Sequence, residues 1–493
     1  MGSVLSTSKP VAPATVPTDT IIPLNTLDDT NVNKAIGMNF GMRFDDVLDP
    51  EKLSSSLEKL LQRKDWGRLG ARLRLNPQTK KLEYHIPAEY TPERPSFIYS
   101  HVNYDISINE HPVASKIPRP TPQSCCLVDT EQFASLLRRE DGPIYLEHYI
   151  YRDEPQLSLH IVSFTDATIV SLNWLHTLLD AMGRAELLAA WTLMLQGREN
   201  EIKPFCGIGS GELDTFGSKP TEKLVLEDKK MTGWAMAGFA LRFIFENFWY
   251  RESDSKVVVL PAEFIKGLKK QINEEVAAKQ PGSYVSEGDV VSAYMSRLSV
   301  QQMVSDANSN KEVAILNAFG LRSLLTGDLI PKGAAYIGNA VQGCIALVTV
   351  KDLLNKPLSH SAYAVRRSLI EQGTREQQEA FKANQIANKE GPLMYGSPDM
   401  KLIVVSNWTK GKFFEVDFSA AVVKACAASP KKIGRPSGIS VIGHTKPGSM
   451  FTPRNTVAVY GRDLDGNVWL VSTLRRGFWE GAEKELRKDV NIQ

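Results

Sequence analysis

The sequence has few cysteines and almost no excess of charge of either sign. Five cysteines occur in 493 residues, and none stands in the CxxC spacing of zinc and redox sites. Lys and Arg number 58 against 56 Asp and Glu, a net charge of +2, without the basic surplus typical of nucleic-acid-binding proteins. We therefore expect reduced cysteines, no metal site and no nucleic-acid partner.

The sequence also lacks a long uninterrupted hydrophobic run. Its longest apolar stretch, residues 231–250, is broken by Arg242, Glu246 and Asn247, whereas a transmembrane helix needs about 20 residues nearly free of charge. We expect a buried or interfacial helix there. The first residues lack the pattern of a secretory signal, and we interpret the MGxxxS myristoylation pattern at residues 1–6 as a chance match. These features predict a cytoplasmic protein without a transmembrane span.

Several common catalytic motifs are absent as well. The sequence contains no GxSxG nucleophile elbow, no HExxH zinc motif and no P-loop. Gly207, Gly209 and Gly211 form a GxGxG, but Glu212 stands where a further glycine would be needed, and the surrounding segment is polar. We therefore expect no phosphate-binding loop.

Helical and strand-like patterns are mixed along the whole chain. The composition, 42% hydrophobic and 23% charged, is that of a globular protein, and the pattern predicts a mixed α/β (α+β) fold. Strands are predicted at 68–75, 157–164, 168–174, 257–260, 313–319, 340–350, 402–407, 457–460 and 468–474. Helices are predicted at 48–61, about 177–196, 231–250, 261–272, 286–298 and 479–486, and a long loop at 87–122. We divide the chain into a flexible leader (1–23), an N-terminal lobe (24–205), a linker or crossover (206–250) and a C-terminal lobe (251–493).

His176 is the best candidate for a reacting group, because it stands where an apolar strand ends and an amphipathic helix begins. The positive end of a helix dipole opposes protonation, and a neutral imidazole suits a general base. The alternative is a partly buried histidine whose nitrogens are satisfied locally. Asp180, four residues on, shares a helix face with it in this interpretation. Asp180 would orient the imidazole or anchor the segment to an arginine. Alternatively, it would form only an i,i+4 surface pair or interact with the helix dipole in the first turn.

These residues and others resemble the signatures of the BAHD family of acyl-CoA-dependent acyltransferases. His176 to Asp180 resembles its HxxxD motif, and Ser406-Asn407-Trp408 followed by Asp417-Phe418 resembles its TSW … DFGWG block. Further similarities lie at Asn317 to Arg322, at Tyr336 to Asn339 and at Ser286 to Tyr294. Their order agrees from about Phe40 to the C-terminal helix, in the style of the fungal specialised-metabolite branch.

The resemblance implies a fold and a mechanism. The fold would have two pseudo-symmetric chloramphenicol-acetyltransferase-like lobes around a central tunnel. His176 would be the general base, taking a proton from an acceptor that attacks the thioester of acyl-CoA without an acyl-enzyme. Asp180 would be structural and pair with Arg322, Ser406 and Trp408 would lie near the acceptor and the oxyanion, and Asp417 with Phe418 would hold a loop near the cofactor channel. Acyl-CoA would be a co-substrate, with no permanently bound cofactor, and the chain a monomer.

The sequence departs from the family pattern at three places. Ala181 replaces the glycine after the aspartate, Ser419, Ala420 and Ala421 replace Gly-Trp-Gly, and Asn317 replaces a common aspartate. We favour an O-acyltransferase that moves an acetyl or short acyl group to a hydroxyl of a small hydrophobic secondary metabolite. One alternative is a non-acylating relative that binds or cyclises a natural product. The other alternative is a carrier-protein-dependent condensation enzyme. Leu175 argues against it, because this residue occupies the position of the first histidine in the HHxxxDG motif of those enzymes.

Overall fold

Two β-sheets with helices packed on them make up most of the described chain. The computed structural model describes residues 10–118, 126–209, 211, 213–389, 393–447 and 453–491. Numbered along the chain, the strands are β1 (Thr20–Pro23), β2 (Gly37–Phe44), β3 (Val47–Leu48), β4 (Arg72–Leu75), β5 (Leu82–Ile86), β6 (Ile98–Asn103), β7 (Cys126–Asp129), β8 (Ser158–Ser163), β9 (Thr168–Leu175), β10 (Phe205–Cys206), β11 (Ser253–Leu260), β12 (Glu312–Gly320), β13 (Ala335–Tyr336), β14 (Val341–Thr349), β15 (Lys401–Asn407), β16 (Val422–Lys424), β17 (Pro436–His444), β18 (Thr456–Arg462) and β19 (Val468–Arg475). The helices are α1 (Asn31–Ala35), α2 (Pro50–Gln62), α3 (Ala134–Leu137), α4 (Leu146–Ile150), α5 (Ala181–Leu195), α6 (Gly233–Trp249), α7 (Ala262–Lys279), α8 (Glu287–Met303), α9 (Arg322–Leu325), α10 (Val350–Asn355), α11 (Leu358–Gln372), α12 (Arg375–Ala387) and α13 (Trp479–Asn491).

The first sheet has five strands in the order β17-β2-β9-β8-β6, and the second has seven in the order β14-β12-β15-β18-β19-β11-β7. Each sheet therefore contains one strand from the other half of the chain. β17, near the C-terminus, pairs antiparallel with β2, and β7, from the N-terminal half, pairs antiparallel with β11. The predicted lobes at 24–205 and 251–493 thus exchange an edge strand.

Buried aromatic side chains connect the two halves. Trp66, Trp174 and Trp191 from the N-terminal half and Trp469 from β19 belong to one continuous hydrophobic cluster and are almost fully buried. Burial of apolar surface on this scale is the main favourable contribution to folding. The hydrophobic core is therefore continuous across the boundary predicted between the two lobes.

Helix starts follow their local sequence signals. Asp49 caps α2 by accepting hydrogen bonds from the N–H groups of Glu51 and Lys52 at 3.0 Å, with Pro50 in the first turn. Ser286 and Asp289 form a capping box at the start of α8. Both helices begin where the sequence predicts them.

Four predictions need correction. Residues 1–9 lie outside the described part of the chain, but Thr20–Pro23 form β1 on β5, so the flexible leader is wrong for these residues. The predicted loop at 87–122 contains β6, which pairs parallel with β8. α5 begins at Ala181 rather than about Thr177, with Asp180 as its N-cap. Of the two alternatives given for residues 231–250, the buried helix is wrong, because none of the residues of α6 is buried.

The prediction of a mixed α/β fold is confirmed. Among the described residues, no helix combines the length and apolarity needed to cross a bilayer.

Candidate functional site

A tightly held turn places His176 directly after a central strand of the first sheet. Every residue of β9 is buried, and the strand ends at Leu175. The His176 N–H donates to the Ile36 carbonyl at 2.9 Å, and the Tyr84 hydroxyl donates to the Thr177 carbonyl at 2.9 Å. Because both anchors come from outside the turn, the position of His176 is set by the fold rather than by the helix that follows.

The His176 side chain is half-buried between fully buried neighbours. Its Nδ1 is enclosed and has no hydrogen-bond partner in the described structure, which leaves Nε2 as the nitrogen on the accessible side. Burial lowers the pKa of His176 and outweighs the opposite effects of a backbone hydrogen bond, of Asp180 and of Asn339; the charge of Arg184 adds a smaller lowering. The imidazole is therefore neutral at ordinary pH and able to accept a proton.

Asp180 binds Arg322 through both carboxylate oxygens. Arg322 donates from Nη1 to Oδ2 and from Nη2 to Oδ1, each at 2.8 Å, and the N–H groups of Gly183 and Ala340 donate at 2.8 and 3.0 Å. Burial would raise the pKa of Asp180, but Arg322 and these hydrogen bonds hold it below its usual value. Of the roles considered for Asp180, the structure shows the one in which it anchors the segment to an arginine. Its position as the N-cap also means that it shares no helix face with His176.

A second buried carboxyl supports the turn and was missed from the sequence. Asp28 Oδ1 accepts from the Asn339 N–H at 2.7 Å and from its Nδ2 at 2.8 Å, and the same Nδ2 donates to the His176 carbonyl at 2.9 Å. Burial raises the pKa of Asp28 to about 7. The similarity at Tyr336 to Asn339 pointed to one half of this pair. Asp28, 311 positions before its partner, carried no local signal.

Ser406 and Trp408 lie together at the end of β15. Trp408 Nε1 donates to Ser406 Oγ at 2.7 Å, and the Trp408 ring stacks on Tyr460 with centroids 5.6 Å apart. Because the indole donor occupies one lone pair of Ser406 Oγ, the hydroxyl hydrogen of Ser406 is free to donate to another group.

Arg184 joins this pair to the helix that follows His176. Its guanidinium lies 3.8 Å from the centroid of Phe40, 4.2 Å from that of Phe413 and 4.9 Å from that of Trp408. It is 1% exposed, and its Nε and Nη2 have no hydrogen-bond partner among the described residues. Burial lowers its pKa to about 9. Arg184 could not be selected from the sequence, since a charged residue in an amphipathic helix normally faces water.

Asp417 and Phe418 lie in a separate loop. Asp417 accepts from Arg435 Nη2 at 3.1 Å, and the buried Phe418 ring packs between Phe44 and Trp191. Beside this loop is a cleft of about 370 Å³ lined by Arg43, Ile108, Cys426, Lys432, Arg435, Asp463 and neighbouring residues. The structure thus brings His176, Asp180 and Arg322 together, links Ser406 and Trp408 to them through Arg184, and sets Asp417 and Phe418 apart.

No group of three His, Cys, Asp or Glu side chains within the described ranges is arranged to hold a metal ion. Cys344 and Cys426 are free thiols.

Comparison with known proteins gives one family. The model of the Transferase family matches residues 142–434. A protein named transcriptional regulator calD of Penicillium decumbens is 42% identical over 97% of this chain and 98% of its own length, and acetyltransferase sphE of Aspergillus fumigatus is 36% identical over 96% of each. The structure of F. graminearum TRI101 complexed with coenzyme A and T-2 mycotoxin has the same fold, with a TM-score of 0.67 at 14% identity over 95% of this chain and 98% of that one.

Proposed function

The chain belongs to the BAHD-type Transferase family and is an acyltransferase, and on this premise we propose that it moves an acetyl or other short acyl group from acyl-CoA to a hydroxyl group of a hydrophobic secondary metabolite. The observation that carries the proposal is the neutral, half-buried His176 with its Nδ1 enclosed. Family membership supports the donor, since F. graminearum TRI101 was solved with coenzyme A.

The reaction proceeds in two steps around Nε2 of His176. As the acceptor oxygen attacks the thioester carbonyl, Nε2 takes its proton, and a tetrahedral intermediate forms. When the intermediate collapses, the C–S bond breaks and the leaving thiolate takes that proton. The products are the ester and free CoA, and the imidazole is neutral again. No bond forms between the acyl group and the protein.

Ser406 is the group we assign to the developing oxyanion. Its hydroxyl hydrogen is free because Trp408 Nε1 donates to the same oxygen. A single donor of this kind is often worth ~3 kcal/mol in the transition state. Trp408 would then both orient Ser406 and form part of the acceptor site.

The other predicted residues act as supports in this proposal. Asp180 and Arg322 fix the start of α5, and the contact of Asn339 with the His176 carbonyl fixes the turn before it. Asp417 and Phe418 hold the loop beside the 370 Å³ cleft, which we place next to the route of acyl-CoA into a central tunnel. The monomeric state and the cytoplasmic location remain predictions from the sequence.

Two alternatives have less support. The intact arrangement around His176 argues against a non-acylating relative, and Leu175 argues against a carrier-dependent condensation enzyme. The name of the Penicillium decumbens relative suggests transcriptional regulation for that protein, but a net charge of +2 without a basic stripe gives no support for nucleic-acid binding here.

Substitution of the base tests the proposal. The purified chain is incubated with acetyl-CoA and a panel of hydrophobic alcohols, and esters are detected by their mass shift. We expect His176→Ala to lower the rate by a factor of about 10²–10⁴, while His360→Ala, a half-exposed histidine on α11, retains it. Calorimetry with acetyl-CoA should show binding to both variants. Turnover retained by His176→Ala, or no binding of acetyl-CoA by any form, contradicts the proposal.

A further inference from the structure

α6 presents an apolar face to solvent. On its inner side, Ala235, Met236 and Phe239 pack against a hydrophobic cluster beneath the helix. On its outer side the exposed fractions are 93% for Trp234, 68% for Leu241, 58% for Phe245, 63% for Phe248 and 66% for Trp249. Single exposed apolar residues are ordinary on protein surfaces, but a contiguous apolar patch marks a site of contact with a protein or a membrane.

The exposed residues form one straight ridge. Trp234, Leu241, Phe245 and Phe248 are spaced by seven, four and three positions, which places them on one face of a helix. With 17 residues the ridge is about 25 Å long. It carries a tryptophan near each end, the residue type that favours the boundary between lipid headgroups and acyl chains.

Cationic side chains border the ridge. Glu246, the acidic residue of α6, lies against Lys401, with 3.6 Å between Oε1 and Nζ. Arg242 on α6 and Arg251 directly after it have no acidic partner among the described residues, and Arg251 lies 5.1 Å from the Phe248 ring centroid. Aromatic anchors beside uncompensated arginines match a surface with an apolar interior and an anionic border.

A second copy of the chain fits this ridge less well. Two copies paired only through a strip about 25 Å long and one helix wide would bury roughly 800 Å² in total, less than the roughly 1,200–2,000 Å² of stable interfaces.

We propose that α6 is a lipid-binding helix that docks the protein on the surface of an anionic bilayer. The helix lies parallel to the membrane plane, with Leu241, Phe245 and Phe248 inserted among the acyl chains and Trp234 and Trp249 at the headgroup level. Arg242 and Arg251 contact anionic headgroups. The inner face of α6 stays on the protein, so the body of the chain takes the place of the polar face that an isolated interfacial helix needs. This proposal is independent of the catalytic one.

Flotation of the full chain with vesicles tests the proposal. Phosphatidylcholine vesicles with about one third phosphatidylserine should carry the wild-type protein to the top of a density gradient. The double variant Leu241→Glu/Phe245→Glu should bind at least tenfold more weakly, because two charges would enter the acyl region. Arg242→Gln/Arg251→Gln should lower binding to anionic vesicles roughly tenfold and leave the weaker binding to pure phosphatidylcholine unchanged.

Ile370→Glu is the matched control, since Ile370 is 63% exposed on α11; it should float like wild type. Thermal unfolding of each variant shows whether it is folded, and the substituted side chains are exposed, so we expect wild-type midpoints. A wild-type chain that does not float, or a Leu241→Glu/Phe245→Glu variant that floats equally well, overturns the proposal. So does sedimentation showing a dimer that this variant dissociates while no form of the protein binds vesicles.

Discussion

The charge state of His176 depends on its surroundings at the scale of single residues. Burial and, to a smaller extent, Arg184 favour the neutral ring, whereas a backbone hydrogen bond, Asp180 and Asn339 favour the charged one. Burial is the largest of these contributions to the pKa of His176 and the charge of Arg184 is the smallest. The buried guanidinium of Arg184 therefore adds a small effect to that of burial, because its positive charge discourages protonation of the base.

Replacement of Arg184 by methionine tests this effect. Activity requires a neutral imidazole and is lost as the pH falls through the pKa of His176. Since Arg184 lowers that pKa, Arg184→Met should raise it and move the acid limb of the kcat/KM profile to higher pH. Arg184→Lys keeps the charge and should leave the limb in place. An unchanged profile in the methionine variant would show that Arg184 is only structural.

Asp28 gives a pH-dependent contribution to stability. Its pKa rises from 3.8 to about 7 on folding, so the folded state holds the proton more tightly. This contribution is fully present below about pH 4 and is lost as the pH rises toward and through 7. Asp28→Asn, which keeps an acceptor for Asn339, should remove a pH dependence on the order of a few kcal/mol. Denaturant unfolding at pH 5 and pH 8 measures the free energy of unfolding of both proteins. The same change in this free energy between the two pH values in wild type and in Asp28→Asn would contradict the assignment.

His176, Asp180 and the partner Arg322 could be selected from the sequence, whereas Asp28 and Arg184 could not. His176 and Asp180 lie four positions apart at a strand end, and such a short spacing is visible in the local sequence. Arg184 and Asp28 acquire their positions from partners far along the chain, such as Phe413 for Arg184 and Asn339 for Asp28. Contacts between residues so far apart cannot be inferred from the local sequence.

At the scale of elements, the glycines missing from the family pattern have counterparts nearby. A Cβ at Gly183 would lie 1.9 Å from the Ile337 carbonyl oxygen, and a Cβ at Gly434 would lie 2.3 Å from the Ser419 nitrogen. The close approaches are therefore made by Gly183 rather than at Ala181, and by Gly434 rather than within Ser419–Ala421. The replacements noted in the sequence do not disturb the packing at either place.

A pair of substitutions in α5 distinguishes these positions. Gly183→Ala should destabilise the protein by about 1–3 kcal/mol and lower activity, because the displaced Ile337 leads to Asn339, which holds the His176 carbonyl. Ala181→Gly restores the family residue and should cost at most about 1 kcal/mol with activity kept. Thermal unfolding and turnover measure both. Greater damage from Ala181→Gly than from Gly183→Ala would contradict the argument.

The prediction of helices and strands failed where tertiary contacts determine whether an element forms or where it begins. β6 is an edge strand in a proline-rich segment, and only its pairing with β8 makes it a strand. Leu178 and Leu179 continue the apolar spacing of α5 toward its N-terminus, but the N-cap at Asp180 excludes them from the helix. The hairpin of β18 and β19 around Asp465-Gly466 was predictable because its turn residues are local.

The exchange of strands determines how the whole molecule holds together. β17 closes one edge of the first sheet and β7 one edge of the second. No pattern in the sequence indicated this exchange, since an edge strand has the same alternation in either sheet. The predicted lobes are consequently not independent folding units.

Cleavage between the halves tests this conclusion. A protease site inserted in the exposed segment 218–222 should be cut without separation of the fragments, which should elute as one particle on gel filtration. Expressed alone, neither fragment should fold, because each lacks one strand of its larger sheet. Fragments that separate and stay folded would contradict the exchange.

During synthesis on the ribosome, the late emergence of β17 leaves the first sheet open to aggregation. β2 emerges early, yet the backbone groups along its free edge stay unpaired until almost the entire polypeptide has been translated. Unpaired edges of this kind invite association with other nascent chains. The protein should therefore depend on chaperones during this interval, and truncation before Pro436 should yield aggregates rather than a smaller enzyme.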